Sequence, residues 1–505
     1  MVRPFVCTAI ACLAVAACRG PASGSADGAS GQDPATRGVV TIAYADPRSR
    51  RNADRGIDTI ADLVSGQGLI AMSREGRPLP RLAEHWDVSP DGRTWRFTLR
   101  PNLVFQDGEP ITAAAVRKAI APEPAAGESG TLPGLRDLVA VDAPSAREVV
   151  IRLKTPNAFL LEGVAQSPVA SARDAAAGPY KVVSRTKGKV TLGRVDGYYG
   201  GRPSLDGITI AEYTSQREAW TAMLRGEVDV LYDVSPEAFE FVKESPTAHV
   251  ATFLRNYVVM LGFNATHPTL GRREVRRALN MAVDRRQIVE TAGGGRGVPT
   301  TDPIGPNHWA RDAAAPAYDV DRAAAAAMLD AARLRRPGPN AGTRFSFNCL
   351  VASDSRYERL ALLVQRQLLS VDVDMKLEAV PFEELAERLA TGKFDAYLGE
   401  MISGPGLEFV YMVWHSNPPS PFMRSGYSGA NAALDQVRSA RTDDETRTAV
   451  RALQRSFYDD PPAAFLYWDQ ASRVVSRRFL LPAGSEDQDI MRFVDRWQLA
   501  GASPP

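Results

Sequence analysis

The side chains of this chain that could do acid–base, nucleophilic or metal chemistry are few and scattered. Its five histidines, His85, His249, His267, His308 and His415, share no local spacing. There is no G-x-S-x-G nucleophile turn, no H-E-x-x-H zinc helix and no cysteine pair at metal-ligand spacing. Cys349 stands alone in the body, inside the alternating run Phe345-Ser-Phe-Asn-Cys-Leu-Val351, where a thiol serves as a small apolar side chain. Asp372 and Asp374 share one face of a strand-like run with no glycine after them, so they do not make a calcium loop. The run Gly293-Gly-Gly-Arg-Gly297 lacks the Lys-Ser/Thr of a phosphate cradle, and Gly200-Gly201 reads as a turn. No catalytic residue, metal or cofactor is expected. A triad assembled only in space is the one hydrolytic arrangement left open.

These residues sit in a chain of 505, long enough for about three domains. Lys plus Arg total 60 and Asp plus Glu 59, a neutrality that argues against nucleic acid and against a polybasic membrane surface. The body holds a single cysteine, which excludes an internal disulfide framework. Residues 1–17 have a basic start at Arg3 and an apolar stretch of roughly 13 residues, which suits a secretory signal and is too short for a permanent span. Residues 18–38 are mostly Gly, Ala, Ser, Asp and Pro, and read as a tether that cannot bury surface.

The elements that must position any site are legible from periodicity. Tyr257-Val-Val-Met-Leu-Gly-Phe263 is a buried strand, followed by a polar loop. A helix begins near Gly271, with Val275, Ala278, Leu279 and Ala282 on its buried face and Arg272, Arg273, Arg276 and Arg277 mostly opposite. Asp284-Arg-Arg-Gln287 matches a capping box, the acid accepting the Gln287 N–H and the Gln side chain reaching back. Leu82–Leu99 is a hairpin: Trp86 and Val88 alternate on one arm, Trp95, Phe97 and Leu99 on the other, around Ser89-Pro-Asp-Gly92. Two helix–glycine–strand units, around Gly226 and Gly392, echo one another and suggest two α/β lobes of similar build.

Leu261-Gly-Phe-Asn264, then Arg277-Ala-Leu-Asn-Met-Ala-Val-Asp-Arg285 with Ile288-Val289, resemble the family 5 solute-binding proteins of ABC importers. So do the Trp86 hairpin with Phe105-Gln-Asp-Gly-Glu-Pro-Ile-Thr112, Gly178-Pro-Tyr180 and Tyr198-Tyr-Gly-Gly-Arg-Pro-Ser-Leu-Asp206. The resemblance covers about Val39 to Tyr467. It implies an α/β fold of the type II periplasmic-binding-protein kind, two lobes with a cleft plus an inserted third domain. Lobe I would comprise 39–48, 169–258 and 471–505, the insertion 49–168, and lobe II 259–470. Val15-Ala-Ala-Cys18 resembles a bacterial lipobox, which implies acylation of Cys18 and an extracytoplasmic, membrane-anchored protein. The implied function is delivery of a peptide or peptide-like solute to the permease subunits of an ABC importer, by a monomer whose lobes close on the ligand. A non-peptide solute, a sensor of the same fold and an extracytoplasmic hydrolase are the alternatives.

In the peptide-binding branch an aspartate following an F-D-x-x-L strand holds the ligand's ammonium group. Here the matching stretch, Phe394-Asp-Ala-Tyr-Leu-Gly-Glu-Met-Ile-Ser-Gly-Pro-Gly406, has no aspartate after Asp395. Either Glu400 or Glu408 takes that role, or the ligand has no free amino terminus. The second is preferred, because Glu400 lies on the strand itself. The expected pocket is lined by Tyr44, Glu400, Met401, Trp414 and Asn431, with aromatic and thioether surfaces contributing more than ion pairs.

Overall fold

The computed structural model describes residues 38–45, 56–120, 132–335 and 342–501. The signal and tether, with Cys18, lie outside them, as do Asp46 to Arg55. The body is organised around two antiparallel strands, Ala248–Phe263 and Ala463–Ser476. At about 3.3 Å per residue, the longer one reaches roughly 50 Å, enough to serve two separate packing units.

At one end of this pair Ala463–Ser476 meets Val230–Leu231, which continues through Val39–Tyr44 and Gly207–Glu212 to Lys189–Arg194 and Tyr180–Thr186. At the other end Ala248–Phe263 meets Ala396–Ile402, then Phe345–Ala352 and Val373–Val380. The sheet is therefore continuous along a hydrogen-bonded path, but only through the two long strands. Their pairing is interrupted between Leu254 and Val258.

Separate cores flank this interruption. One gathers Val40, Ile42, Ile208, Ile210 and Trp497. The other end is packed on both faces, around Leu261, Leu279, Val364 and Leu398 on one side and Trp414, Phe457 and Phe465 on the other. A further core holds the four-stranded antiparallel sheet of Ala83–Val88, Thr94–Leu99, Glu148–Leu153 and Leu138–Asp142, with Phe97 and Leu99 wholly buried. The mixed α/β class expected from the sequence is what the chain adopts.

Local sequence explains most of these elements. Gly392 takes a left-handed φ of 74° to end helix Phe382–Thr391, and Gly226 takes 73° after Gln216–Leu224, a conformation other residues adopt at a cost. Two expectations, one at helix Arg273–Ala282 and one at the helix after it, need correction. Arg276 is buried with the apolar face: it donates to the carbonyls of Pro461 (2.7 Å) and Leu270 (2.8 Å) and pairs with Asp460. Those bonds are what let a cation sit inside. At the next helix Asp284 accepts the Gln287 N–H at 3.0 Å as expected, but the Asp284 N–H goes to Gln367 Oε1 at 2.9 Å. Gln367 also donates to Gln287 Oε1 at 2.9 Å, so the residue that closes the cap comes from helix Ser355–Leu369.

Candidate ligand cleft

Where the long strands lose register, their side chains open a cavity of about 680 Å³ between the two ends of the sheet. Tyr44 at the end of the first strand, Tyr232, Phe253 and Tyr257 supply aromatic surface. Tyr44 is almost fully buried and meets Tyr232 edge-on at 5.9 Å between centroids.

The polar part of the wall is built on arginine. Arg255, at the register break, donates to Asp469 Oδ2 (2.6 Å) and forks onto Glu400 at 2.7 and 3.3 Å. Arg356 pairs with the other oxygen of Asp469. Burial opposes the charge on Arg255, but Glu400 and Asp469 outweigh it and hold the guanidinium well above the ordinary arginine value. Arg473 lies 3.6 Å over the Tyr232 ring and pairs with Asp489 and Asp233. Asp469 is the linchpin: it sits within the apolar strand Ala463–Ser476 and serves two arginines from other elements.

This arrangement can hold and orient a solute. Among the described residues its lining holds no histidine and no cysteine. Among the described residues no group of three His, Cys, Asp or Glu could hold a metal ion, and none of the described helices is long and apolar enough to cross a membrane. The Cys349 thiol is fully buried and burial pushes its pKa up, so it stays protonated and inert.

Residues 77–420 match the model of the bacterial extracellular solute-binding proteins, family 5. The chain belongs to this family. The probable D,D-dipeptide-binding periplasmic protein DdpA of Escherichia coli (strain K12) is 25% identical over 413 residues, 76% of this chain and 78% of that protein. The fold is similar to NikA from Brucella suis in complex with Fe(III)-EDTA, at a TM-score of 0.78, 20% identity, and coverage of 91% of this chain and 99% of that one. It is also similar to AppA from Bacillus subtilis in complex with a nonapeptide, at a TM-score of 0.72, 19% identity, and coverage of 92% and 99%.

In this family 5 protein the expected pocket residues divide. Tyr44 lines the cleft, and Glu400 stands just behind it, tied to Arg255. Met401, Trp414 and Asn431 were expected with them but do not line this cleft. Met401 follows Glu400 on the strand and so turns to the opposite face, into the core. Trp414 is buried among Tyr427, Phe457 and Phe465, with edge-on ring centroids at 6.3, 6.3 and 5.6 Å. Asn431 binds Ser416 through Nδ2 (2.7 Å) and Oδ1 (3.1 Å), securing the start of helix Asn431–Ser439. Glu408, the other acid considered for an ammonium, is wholly buried elsewhere, where it accepts the Gly134 N–H. Asp469, Arg255 and Arg473 were missed. The available signal was an aspartate directly after the apolar run Ala463-Ala-Phe-Leu-Tyr-Trp468, since a charge within a strand core needs a partner.

Proposed function

We propose that this protein is an extracytoplasmic receptor that captures a peptide or peptide-like solute in the cleft and presents it to an ABC importer. Family membership supports receptor function and a location outside the cytoplasm. The observation that carries the mechanism is the cleft at a register break crossed by two strands. Residues 39–48, 169–258 and 471–505 would act as one lobe and 259–470 as the other, with 49–168 inserted. A ligand that touches both lobes only when they are closed shifts the population to the closed form, and that form docks on the permease. The receptor acts as a monomer anchored through acylated Cys18.

Peptide is favoured because DdpA is named for a D,D-dipeptide and AppA is described with a nonapeptide. A chelate or other non-peptide solute is the second reading. It is favoured by Glu400, which is committed to Arg255 where an ammonium-holding acid would be expected. Incubation with defined peptide pools followed by mass spectrometry tests the role. Intact retention marks a receptor, cleavage marks an enzyme, and neither outcome leaves a protein of this fold outside transport.

A further inference from the structure

We propose that the solute carries a carboxylate, and that Arg492 is the group that receives it. This rests on the reading of the cleft as a solute site and goes beyond it by naming the ligand's chemistry and its anchor.

Seven arginines and five aspartates line the cleft among the described residues, with no lysine and no glutamate. Four of the aspartates are committed. Asp469 is shared by Arg255 and Arg356, while Arg473 takes Asp489 and Asp233. Asp354 accepts the Arg356 N–H at the start of helix Ser355–Leu369, and Asp487 lies 4.0 Å from Arg74. Arg492, on the turn Ile490–Arg496, forms no ion pair and no side-chain hydrogen bond among the described residues. Its side chain is open to the cleft, yet the surrounding wall desolvates it. That desolvation holds its guanidinium below the ordinary arginine value; Asp489 opposes the shift and Arg81 adds to it.

A guanidinium in this position is a donor fork without its acceptor. Exposed to the cleft and without an acceptor of its own among the described residues, it can take an incoming anion without breaking an existing pair. The planar fork matches the two oxygens of a carboxylate, and such charge-assisted bonds are short and strong. Among the described residues the opposite charge is less well provided for, because four of the five lining aspartates already have a donor, Asp487 is largely exposed to solvent, and Glu400 is held by Arg255. The cleft is thus suited to an organic acid, or to a peptide recognised by its carboxylate end, and among the described residues offers no buried spare acid for a free ammonium.

The test uses the full-length protein and three probe sets: N-acetylated tri- to pentapeptides with a free carboxyl terminus, the same peptides amidated, and inorganic phosphate with simple phosphate monoesters. Binding is read by calorimetry and by the rise in Tm. The expected result is binding of the free-acid peptides at least tenfold tighter than of the amides. R492Q should abolish that preference while the unliganded Tm stays at or above the wild-type value, and R492K should recover part of it. Equal binding of acids and amides, preference for the phosphate set, or an unchanged preference in R492Q overturns the carboxylate assignment and leaves the receptor reading intact. Cleavage of the peptides, or no binding by any set, overturns both.

Discussion

Glu162 accepts the backbone N–H of Glu408 at 2.9 Å, across 246 residues of sequence. Its other oxygen takes the Leu407 N–H at 3.0 Å. Glu408 answers in the opposite direction, accepting from Gly134 N–H and Gln166 Nε2 at 2.7 Å each. Two carboxylates thus bind the helix Leu160–Gln166 beside the antiparallel sheet to the helix Glu408–Trp414 of the main body.

Burial pushes both acids above the usual carboxylate range, and the Glu162 charge raises Glu408 further. The folded protein therefore holds protons that the unfolded chain releases. Stability from this pair is present below the unfolded carboxylate value and is lost as pH rises through the raised folded values, across the mildly acid to neutral range. Glu408→Gln removes one charge, and Gln166 can turn its amide to suit. The variant should gain stability over wild type at pH 8 by on the order of 1–3 kcal/mol and gain little at pH 5. Denaturation at the two pH values checks this; an equal difference at both would rule out the proton linkage.

Asp469 compensates two guanidinium groups at once, and its side chain is nearly inaccessible. Asp469→Asn should cost roughly 3–5 kcal/mol, because it leaves buried cations under-paired. Glu400→Gln should cost less, since Arg255 keeps Asp469. If Glu400 acts only through Arg255, its loss changes affinity for free peptides and for their N-acetylated forms in parallel. Calorimetry on both forms decides: selective loss of the free-amine peptides would make Glu400 an ammonium anchor after all.

The frame of this molecule was legible because its elements obey local rules. The crossover strand, the helix after it, the Trp86 hairpin and the glycine-ended helices each carry a period or a turn residue that only one element satisfies. The strand Ala248–Phe263 runs further back than its apolar part, because its first half is mixed and partly solvated. The site was less legible. Alternation shows that Glu400 and Met401 face opposite ways, but not which face meets the cleft. Asp469 reaches Arg255 and Arg356 from 214 and 113 residues away, and no local pattern encodes such pairs.

The anchor rests on Val15-Ala-Ala-Cys18 and the polar tether after it. Wild-type protein should enter the detergent phase of a phase split, and Cys18→Ser should remain in the aqueous phase. Equal partition of the two into water would remove the lipid anchor from the proposal.

Trp414 and Tyr44 separate packing from recognition. Trp414 sits among three other aromatic rings in the core, so Trp414→Ala should cost about 3–5 kcal/mol through the cavity it leaves. The cleft does not include Trp414, so the protein that remains folded should bind as wild type does. Tyr44 lines the cleft, and its ring packs on Tyr232, the residue that also supports Arg473. Tyr44→Ala should weaken binding of whichever solute the wild type retains, because it removes apolar contact surface and loosens the Tyr232 ring beneath Arg473. Measuring Tm and Kd on both variants distinguishes the roles. A Trp414 variant with normal Tm and lost binding would return that residue to the pocket, and a Tyr44 variant with unchanged Kd would remove the first strand's end from the ligand's path.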